Sequence, residues 1–179
     1  LASARRLRAL ESMDAAKAAA LIRQAHLNEA SSRLALGADL FAWWKRLPKE
    51  ERFDPEFLAA LARLAIERAQ GGKVRPILEA ALDKRWLPEL VRRYPACLDA
   101  AERQAALARL ESWLQAHPEE PAVLEALVEL CLELKLWGKA QDYLVRLRRL
   151  GADPKVLERF AARLQSAEAG RGGAILPAP

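Results

Sequence analysis

The sequence predicts an all-α protein built from helix-turn-helix repeats. The chain of 179 residues contains no Thr, six Val and four Ile, so the β-branched residues that favour strands are scarce. On both sides of the stretch Leu136-Trp137-Gly138-Lys139-Ala140, apolar residues recur at the spacing of one helical face. The apolar content of 52% is enough for one domain with a sizeable core.

The N-terminal segment, residues 2–54, is predicted to consist of helices that lead into the repeats. Residues 2–36 form one or two Ala-rich helices, interrupted near residues 28–32, where Ser and Asn offer a turn, and ended by Gly37. Residues 39–47 form a short helix that carries bulky aromatic side chains.

Residues 55–169 are predicted to hold the repeats and a capping helix. One repeat begins at Pro55 and turns at Gly71-Gly72, and another begins at Pro121 and turns at Trp137-Gly138. Aligned at an offset of 63 residues, the two match apolar with apolar at five positions. This offset is close to twice the period of about 34 residues of tetratricopeptide repeats. With a less regular repeat between them, the prediction is a right-handed tetratricopeptide-like solenoid.

The end of the chain is predicted to cap the repeats and then lose order. A helix from Pro154 to Ala167 suits the capping role, and residues 170–179 lack any period and are predicted to be disordered. Gly138 is expected to need an unusual backbone angle or a close helix approach beside Trp137. The residues expected to hold the repeats together are Trp113, Leu114, Trp137, Gly138 and Ala140.

The first helix of each repeat is predicted to line a concave face that binds a protein segment. In the later repeat this face contains Ala122, Glu125, Glu129, Leu132 and Glu133, and in the earlier one Ala59, Ala62, Ile66 and Ala69. One end of the groove is expected to be acidic and the other apolar, which suits a partner segment with basic and apolar residues.

Charge and cysteine usage narrow the function classes. The net charge is +5, but acidic residues punctuate most helices and no aromatic-basic motif accompanies the charge, which disfavours nucleic acid as a partner. Cys97 and Cys131 lie far apart, without a CxxC or a paired His, so we expect no metal site and a reducing compartment. No apolar run approaches the roughly 20 residues of a membrane span.

An ordered series of motifs resembles the proteobacterial HemY-type tetratricopeptide protein of haem biosynthesis. The motifs cover roughly residues 40–165. They are Trp44-Lys45-Arg46-Leu47-Pro48, Arg52 with Asp54-Pro55, Leu82 with Trp86, Leu90-Val91-Arg92-Arg93-Tyr94, Trp113-Leu114 with His117-Pro118, Val128 with Leu130-Cys131, Leu136-Trp137-Gly138-Lys139-Ala140 and Tyr143-Leu144. The chain departs from the family's pattern at Ala126–Leu130, where a Gly is usual, and at Val145, where a Glu is usual.

The resemblance implies a scaffold of late haem synthesis that binds porphyrin-pathway enzymes, ferrochelatase above all. It also implies membrane helices upstream of this region, with the region itself on the cytoplasmic side of the bacterial inner membrane. A flavin-dependent oxidase shares the family's name, but no GxGxxG follows a predicted strand, so that enzyme is not indicated.

Three alternatives to a haem-pathway scaffold stay open. An enzyme is the poorest, because no nucleophile, base and orienting group can be assembled from two isolated histidines. A haem or porphyrin carrier would use a crevice near Trp43, Trp44 and Trp86. Its best ligand candidates are His117 and Tyr94; the others are His26, Tyr143, Cys97, Cys131 and Met13. The third is a tetratricopeptide adaptor unrelated to haem.

Overall fold

The computed structural model describes the backbone of residues 2–172 and the side chains of residues 14–167 and Ala169. Over this range the chain forms ten α-helices, two 3₁₀ helices and no strand. The prediction of an all-α protein is therefore confirmed for the described residues. The chain divides into two compact units, residues 1–85 and 86–179, here called the N-terminal and C-terminal units.

The N-terminal unit contains five helices: α1 (Ala2–Ala35), α2 (Leu40–Arg46), α3 (Lys49–Arg52), α4 (Pro55–Glu67) and α5 (Gly71–Leu82). Helix α1 is continuous, so the predicted interruption near residues 28–32 is wrong. The Ser32 hydroxyl donates to the Asn28 carbonyl one turn earlier, which keeps this residue inside the helix instead of capping a new one. Gly37 ends the helix as predicted, with a φ of 66°.

Aromatic side chains form much of the core of the N-terminal unit. Trp43, Trp44 and Phe57 are buried, and the Trp44 indole donates to the Arg52 carbonyl at 2.9 Å. The His26 ring packs edge-on against Trp43 and Phe57, and its Nε2 lies 2.6 Å from a Glu51 carboxylate oxygen. The short helices α2 and α3 are thereby fixed to α1 and α4.

The C-terminal unit contains α6 (Pro88–Arg93), 3₁₀ helices at Pro95–Cys97 and Ala100–Glu102, α7 (Arg103–Ala116), α8 (Pro121–Glu133), α9 (Trp137–Arg149) and α10 (Pro154–Gly172). Helix α8 lies at the centre of this unit and contacts α6, α7, α9 and α10. Nine of its residues are buried, which explains why its apolar side chains are not confined to one face.

Four helices that begin with proline recur at one interval. Helices α4, α6, α8 and α10 start at Pro55, Pro88, Pro121 and Pro154, so successive starts lie 33 residues apart. Proline suits the first helical position because the N–H that it lacks has no acceptor there and its φ is already helical. The period of the chain is therefore 33 residues in these helix starts.

The turns show that the offset of 63 residues predicted from the sequence is wrong. Helices α4 and α8 are each followed by a left-handed residue, Ala69 and Lys135, with φ values of 53° and 59°; the two residues lie 66 positions apart. Each end is a Schellman motif: Gln70 donates to the Ala65 carbonyl, and Leu136 to the Cys131 carbonyl, both at 2.8 Å. An offset of 66 residues also aligns Gly72 with Gly138.

Neither of the predicted glycine turns is a turn. Gly71 and Gly138 are the first and second residues of α5 and α9, and the left-handed residue lies earlier, before each helix. A Cβ built on Gly138 meets no atom within 4 Å, so this residue requires neither an unusual backbone angle nor a close approach. That expectation is wrong because the Schellman motif at Lys135 reverses the chain by itself.

The other residues expected to hold the repeats together differ in burial. Ala140 and Leu114 are buried, whereas Trp113 and Trp137 are half-buried. Trp137 begins α9 and lines a cavity of about 340 Å³ with Leu132 and residues of α10. Trp137 is therefore only partly enclosed by its neighbours.

Two further features are the length of α10 and the apolar character of the described helices. Helix α10 continues to Gly172, three residues into the segment predicted to be disordered, and residues 173–179 lie outside the described range. Among the described helices, none combines the length and the apolar character that crossing a membrane requires.

Candidate functional site

The C-terminal unit contains a groove of about 900 Å³ between the faces of α6, α8 and α10, here called the α8 groove. Its lining combines charged side chains with a few apolar ones. Residues of α8 form the floor: Pro121, Glu125, Glu129 and Glu133. The predicted partner-binding residues Glu125, Glu129 and Glu133 therefore lie together on one surface, one helical turn apart.

Each of these three glutamates contacts an arginine of a neighbouring helix. Arg92 of α6 donates through Nε to both carboxylate oxygens of Glu125 at 3.2 Å. Arg163 of α10 donates to Glu129 at 2.6 and 2.7 Å. These pairs connect α8 to the helices on both sides of the groove.

The third pair, Glu133 with Arg103 of α7, differs in geometry and in charge. Glu133 Oε2 lies 2.9 Å from Arg103 Nε, but the two atoms are outside hydrogen-bond geometry and each lacks a hydrogen-bond partner among the described residues. Burial raises the pKa of Glu133 above its ordinary value, while Arg103 opposes the shift. Among the described residues, Glu133 thus lacks the hydrogen-bonded arginine that Glu125 and Glu129 each have.

The groove is consequently mixed in charge, whereas the sequence suggested that one end would be acidic. The arginines that compensate the glutamates were missed, and a signal for two of them existed. Arg92 lies 33 residues before Glu125, and Arg163 lies 34 residues after Glu129. These separations match the 33-residue interval between helix starts, so the correct register would have paired them.

Most of the remaining predicted binding residues are less accessible. Leu132 is 7% exposed and lies against the cavity beside Trp137, outside the α8 groove, and Ala122 is fully buried. In the N-terminal unit Ala62 is fully buried, Ala59 and Ile66 are half-buried, and Ala69 is exposed but lies in the turn that follows α4. Ala62 presents no surface to a partner, because its side chain lies on the face of α4 that forms the core.

The two preferred haem-ligand candidates lie in one aromatic cluster, formed by Trp86, Tyr94, Trp113 and His117. The His117 and Trp86 rings stack with centroids 3.8 Å apart, and Tyr94 packs edge-on against Trp113 at 5.0 Å. Tyr94 is only 1% exposed, and neither candidate lines the α8 groove. The His117 and Trp86 rings cover one face of each other and Tyr94 is buried, so a porphyrin held by both candidates would have to displace this packing.

The aromatic cluster also caps α8. The Trp86 indole donates to one carboxylate oxygen of Glu120 at 3.3 Å, and the other oxygen accepts from the backbone N–H of Ala122. Glu120 is the N-cap of α8, where a carboxylate satisfies a free N–H group of the first turn. A structural role therefore accounts for Trp86 and its neighbours.

The other ligand candidates are also engaged or buried. Cys97 and Cys131 are buried thiols, and burial raises their pKa values to about 12 and about 11. Tyr143 donates to Glu111, and burial raises its pKa far above the ordinary value. The Met13 side chain lies outside the described residues. In the described part of the chain, no three His, Cys, Asp or Glu side chains group as metal ligands would.

The tryptophans proposed to line a porphyrin crevice are placed in different units. Trp43 and Trp44 are buried in the N-terminal unit, and Trp86 belongs to the C-terminal unit.

Compared with protein-family models, with curated proteins and with solved structures, the chain matches none.

Proposed function

We propose that the protein is a non-enzymatic scaffold that binds a segment of a partner protein in the α8 groove. The observation that supports this most is the row of three glutamates on α8, each facing an arginine of another helix, along an open groove of about 900 Å³. Charges held in fixed positions select a partner whose own charges lie at matching positions, and the partner's net charge matters less.

We further propose that the helices belong to a tetratricopeptide-like solenoid with α10 as its cap. The 33-residue interval between Pro55, Pro88, Pro121 and Pro154 supports this, because it is within one residue of the period of about 34 and each interval contains the starts of two α-helices. The Schellman turns at Ala69 and Lys135 support it too, since each joins the two helices of one repeat.

The proposed partner is ferrochelatase or another enzyme of late haem synthesis, and the proposed location is the cytoplasmic side of the bacterial inner membrane. This part of the proposal rests on the resemblance of the motifs, Leu136–Ala140 above all, to the HemY-type family. Haem binding is not part of the proposed scaffold function.

The test exchanges the charges of one groove pair. In the double variant Glu129→Arg with Arg163→Glu, the ion pair is retained in reversed order, so the fold should survive while the pattern seen by a partner changes. We expect capture of ferrochelatase by the double variant to fall at least about tenfold, which corresponds to about 1.4 kcal/mol. Capture at the parental level by the folded variant would contradict the proposal.

Two controls separate the scaffold from its alternatives. Gln141→Arg changes a charge on the exposed face of α9, outside the groove, and should leave capture unchanged. A haem titration of the parent protein should give no saturable Soret shift. A saturable shift would favour the carrier, and capture of an unrelated partner through the same groove would favour the general adaptor.

A further inference from the structure

A second surface of the C-terminal unit lies where α7 and α9 end. It consists of two adjoining clefts of about 420 and 310 Å³, which share Pro118 and Arg146 and are here called the double cleft. The first is also lined by Glu111, Leu114, Gln115 and Tyr143, and the second by Glu119, Leu124, Arg149 and Leu150. None of the α8 groove residues belongs to it.

The arginines at the end of α9 lack carboxylate partners among the described residues. Arg146, Arg148 and Arg149 occupy the last turn of α9, and none forms an ion pair within the described residues. In the same unit Arg92, Arg103 and Arg163 each face a glutamate. Glu119 lies in the lining of the second cleft but is not within ion-pair distance of either cleft arginine.

The negative end of the α9 helix dipole favours cations in this turn. It does not explain why Arg146 and Arg149 line clefts beside apolar side chains. All three arginines are exposed, but only Arg146 and Arg149 line the clefts, whose walls include apolar side chains, whereas Arg148 lines neither. Leu150, at the edge of the second cleft, is an exposed large apolar side chain, 38% accessible. Guanidinium groups beside apolar walls match a carboxylate that is followed by an apolar side chain.

We propose that the double cleft binds a partner-protein segment in which acidic and apolar residues are adjacent. Arg146 is the central contact because it lies in both clefts, and Arg149 contacts the same segment farther along. The Glu111 carboxylate, which lines the first cleft, accepts through one oxygen from Lys139 at 2.8 Å and from Tyr143 at 3.0 Å and is not within ion-pair distance of Arg146. This surface is separate from the α8 groove, so the protein has two binding faces.

The probe is a fluorescein-labelled peptide, Gly-Glu-Leu-Glu-Glu-Leu-Gly, whose binding to the full chain is followed by fluorescence anisotropy. We expect saturable binding that Arg146→Gln weakens at least about tenfold and Arg148→Gln, the matched control, less than about twofold. Glu119→Gln should tighten binding, because it removes the unpaired carboxylate from the cleft. Circular dichroism melts show whether each variant is folded; all three positions are exposed.

Equal weakening by Arg146→Gln and Arg148→Gln would overturn the proposal, since it would indicate attraction to the helix end as a whole. So would equal binding of the peptide with Lys in place of Glu. Association with phosphatidylserine vesicles in the absence of peptide binding would replace the protein partner by an anionic membrane. The charge-exchanged variant of the α8 groove should bind the peptide normally, which keeps this test independent of the proposed scaffold function.

Discussion

Arg163 of α10 places one guanidinium nitrogen between the two carboxylate oxygens of Glu129 of α8, at 2.6 and 2.7 Å. The two residues are 34 positions apart in the chain, close to the 33-residue interval between the starts of α8 and α10. The contact therefore joins α8 and α10, two helices that border the groove, through residues at nearly the same position after each helix start.

This pair should be coupled in stability. Both side chains are partly exposed, 29% for Glu129 and 42% for Arg163, so we expect a coupling of about 0.5 kcal/mol, smaller at high salt. The measurement is a double-mutant cycle with Glu129→Gln and Arg163→Gln, followed by urea unfolding. Strictly additive effects of the two substitutions at low salt would show that the contact does not form in solution.

Two glycines of the C-terminal unit should respond to alanine in opposite directions. Gly138 lies in α9 with open space around its Cβ position, so Gly138→Ala should stabilise by about 0.5 to 1 kcal/mol. Gly151 has a φ of 72°, so Gly151→Ala should destabilise by about 1 kcal/mol. Thermal unfolding of both variants tests this. If Gly138→Ala destabilised the protein, the result would favour the turn at Gly138 that the sequence suggested.

Helix α8 should carry much of the stability of its unit. Leu127 is fully buried at its centre, so Leu127→Ala should cost about 2 to 5 kcal/mol through lost burial and the cavity left behind. Leu150→Ala, at an exposed leucine of the same unit, should change stability by less than about 0.5 kcal/mol. Similar denaturation midpoints for the two variants would be incompatible with the central position of α8.

Glu111 and Glu133 should affect the pH dependence of stability with opposite signs. Hydrogen bonding by Lys139 lowers the pKa of Glu111 below its ordinary 4.5, so its stabilisation is present above pH 4.5 and lost as the pH falls through the lowered value. Burial raises the pKa of Glu133 above 4.5, so stability is lost as the pH rises through the raised value.

The corresponding measurement compares Glu111→Gln and Glu133→Gln with the parent by urea unfolding between about pH 3 and pH 7. The deficit of Glu111→Gln should grow as the pH rises towards 4.5, and that of Glu133→Gln should shrink as the pH rises above 4.5. Two deficits that change with pH in the same direction would contradict the placement of Glu133 as a half-buried carboxylate.

Both thiols should be unreactive in the native protein. Cys97 and Cys131 are fully buried, and their pKa values of about 12 and about 11 leave almost no thiolate at neutral pH. A colorimetric disulfide reagent should therefore detect neither thiol until denaturant is added, after which both should react. Rapid labelling of either thiol without denaturant would show that its core opens readily.

The sequence predicts the helices where periodicity and capping agree. Pro121 at a first helical position and the apolar spacing that follows predict α8, and the restart of that spacing at Ala140 predicts α9. The continuity of α1 escapes such reasoning, because Ser32 caps helices as readily as it bonds back to the carbonyl of the preceding turn.

The turns and the groove pairs depend on information that local patterns lack. The left-handed positions are held by Ala69 and Lys135, which are not residues typical of that conformation, so the neighbouring glycines misplace the turn by about three residues. That error also shifts the repeat register and hides the partners of Glu125 and Glu129. The four prolines at 33-residue spacing indicate the correct alignment of these segments from the sequence alone.

The most direct test of the α8 groove as the binding site is site-specific photocrosslinking to ferrochelatase. The photoreactive amino acid p-benzoylphenylalanine replaces Ala96, an exposed residue of the groove lining, or Ala108, an exposed residue of α7 outside it. The proposed function predicts a covalent adduct from position 96 and none from position 108. An adduct from position 108 alone would contradict binding in the α8 groove.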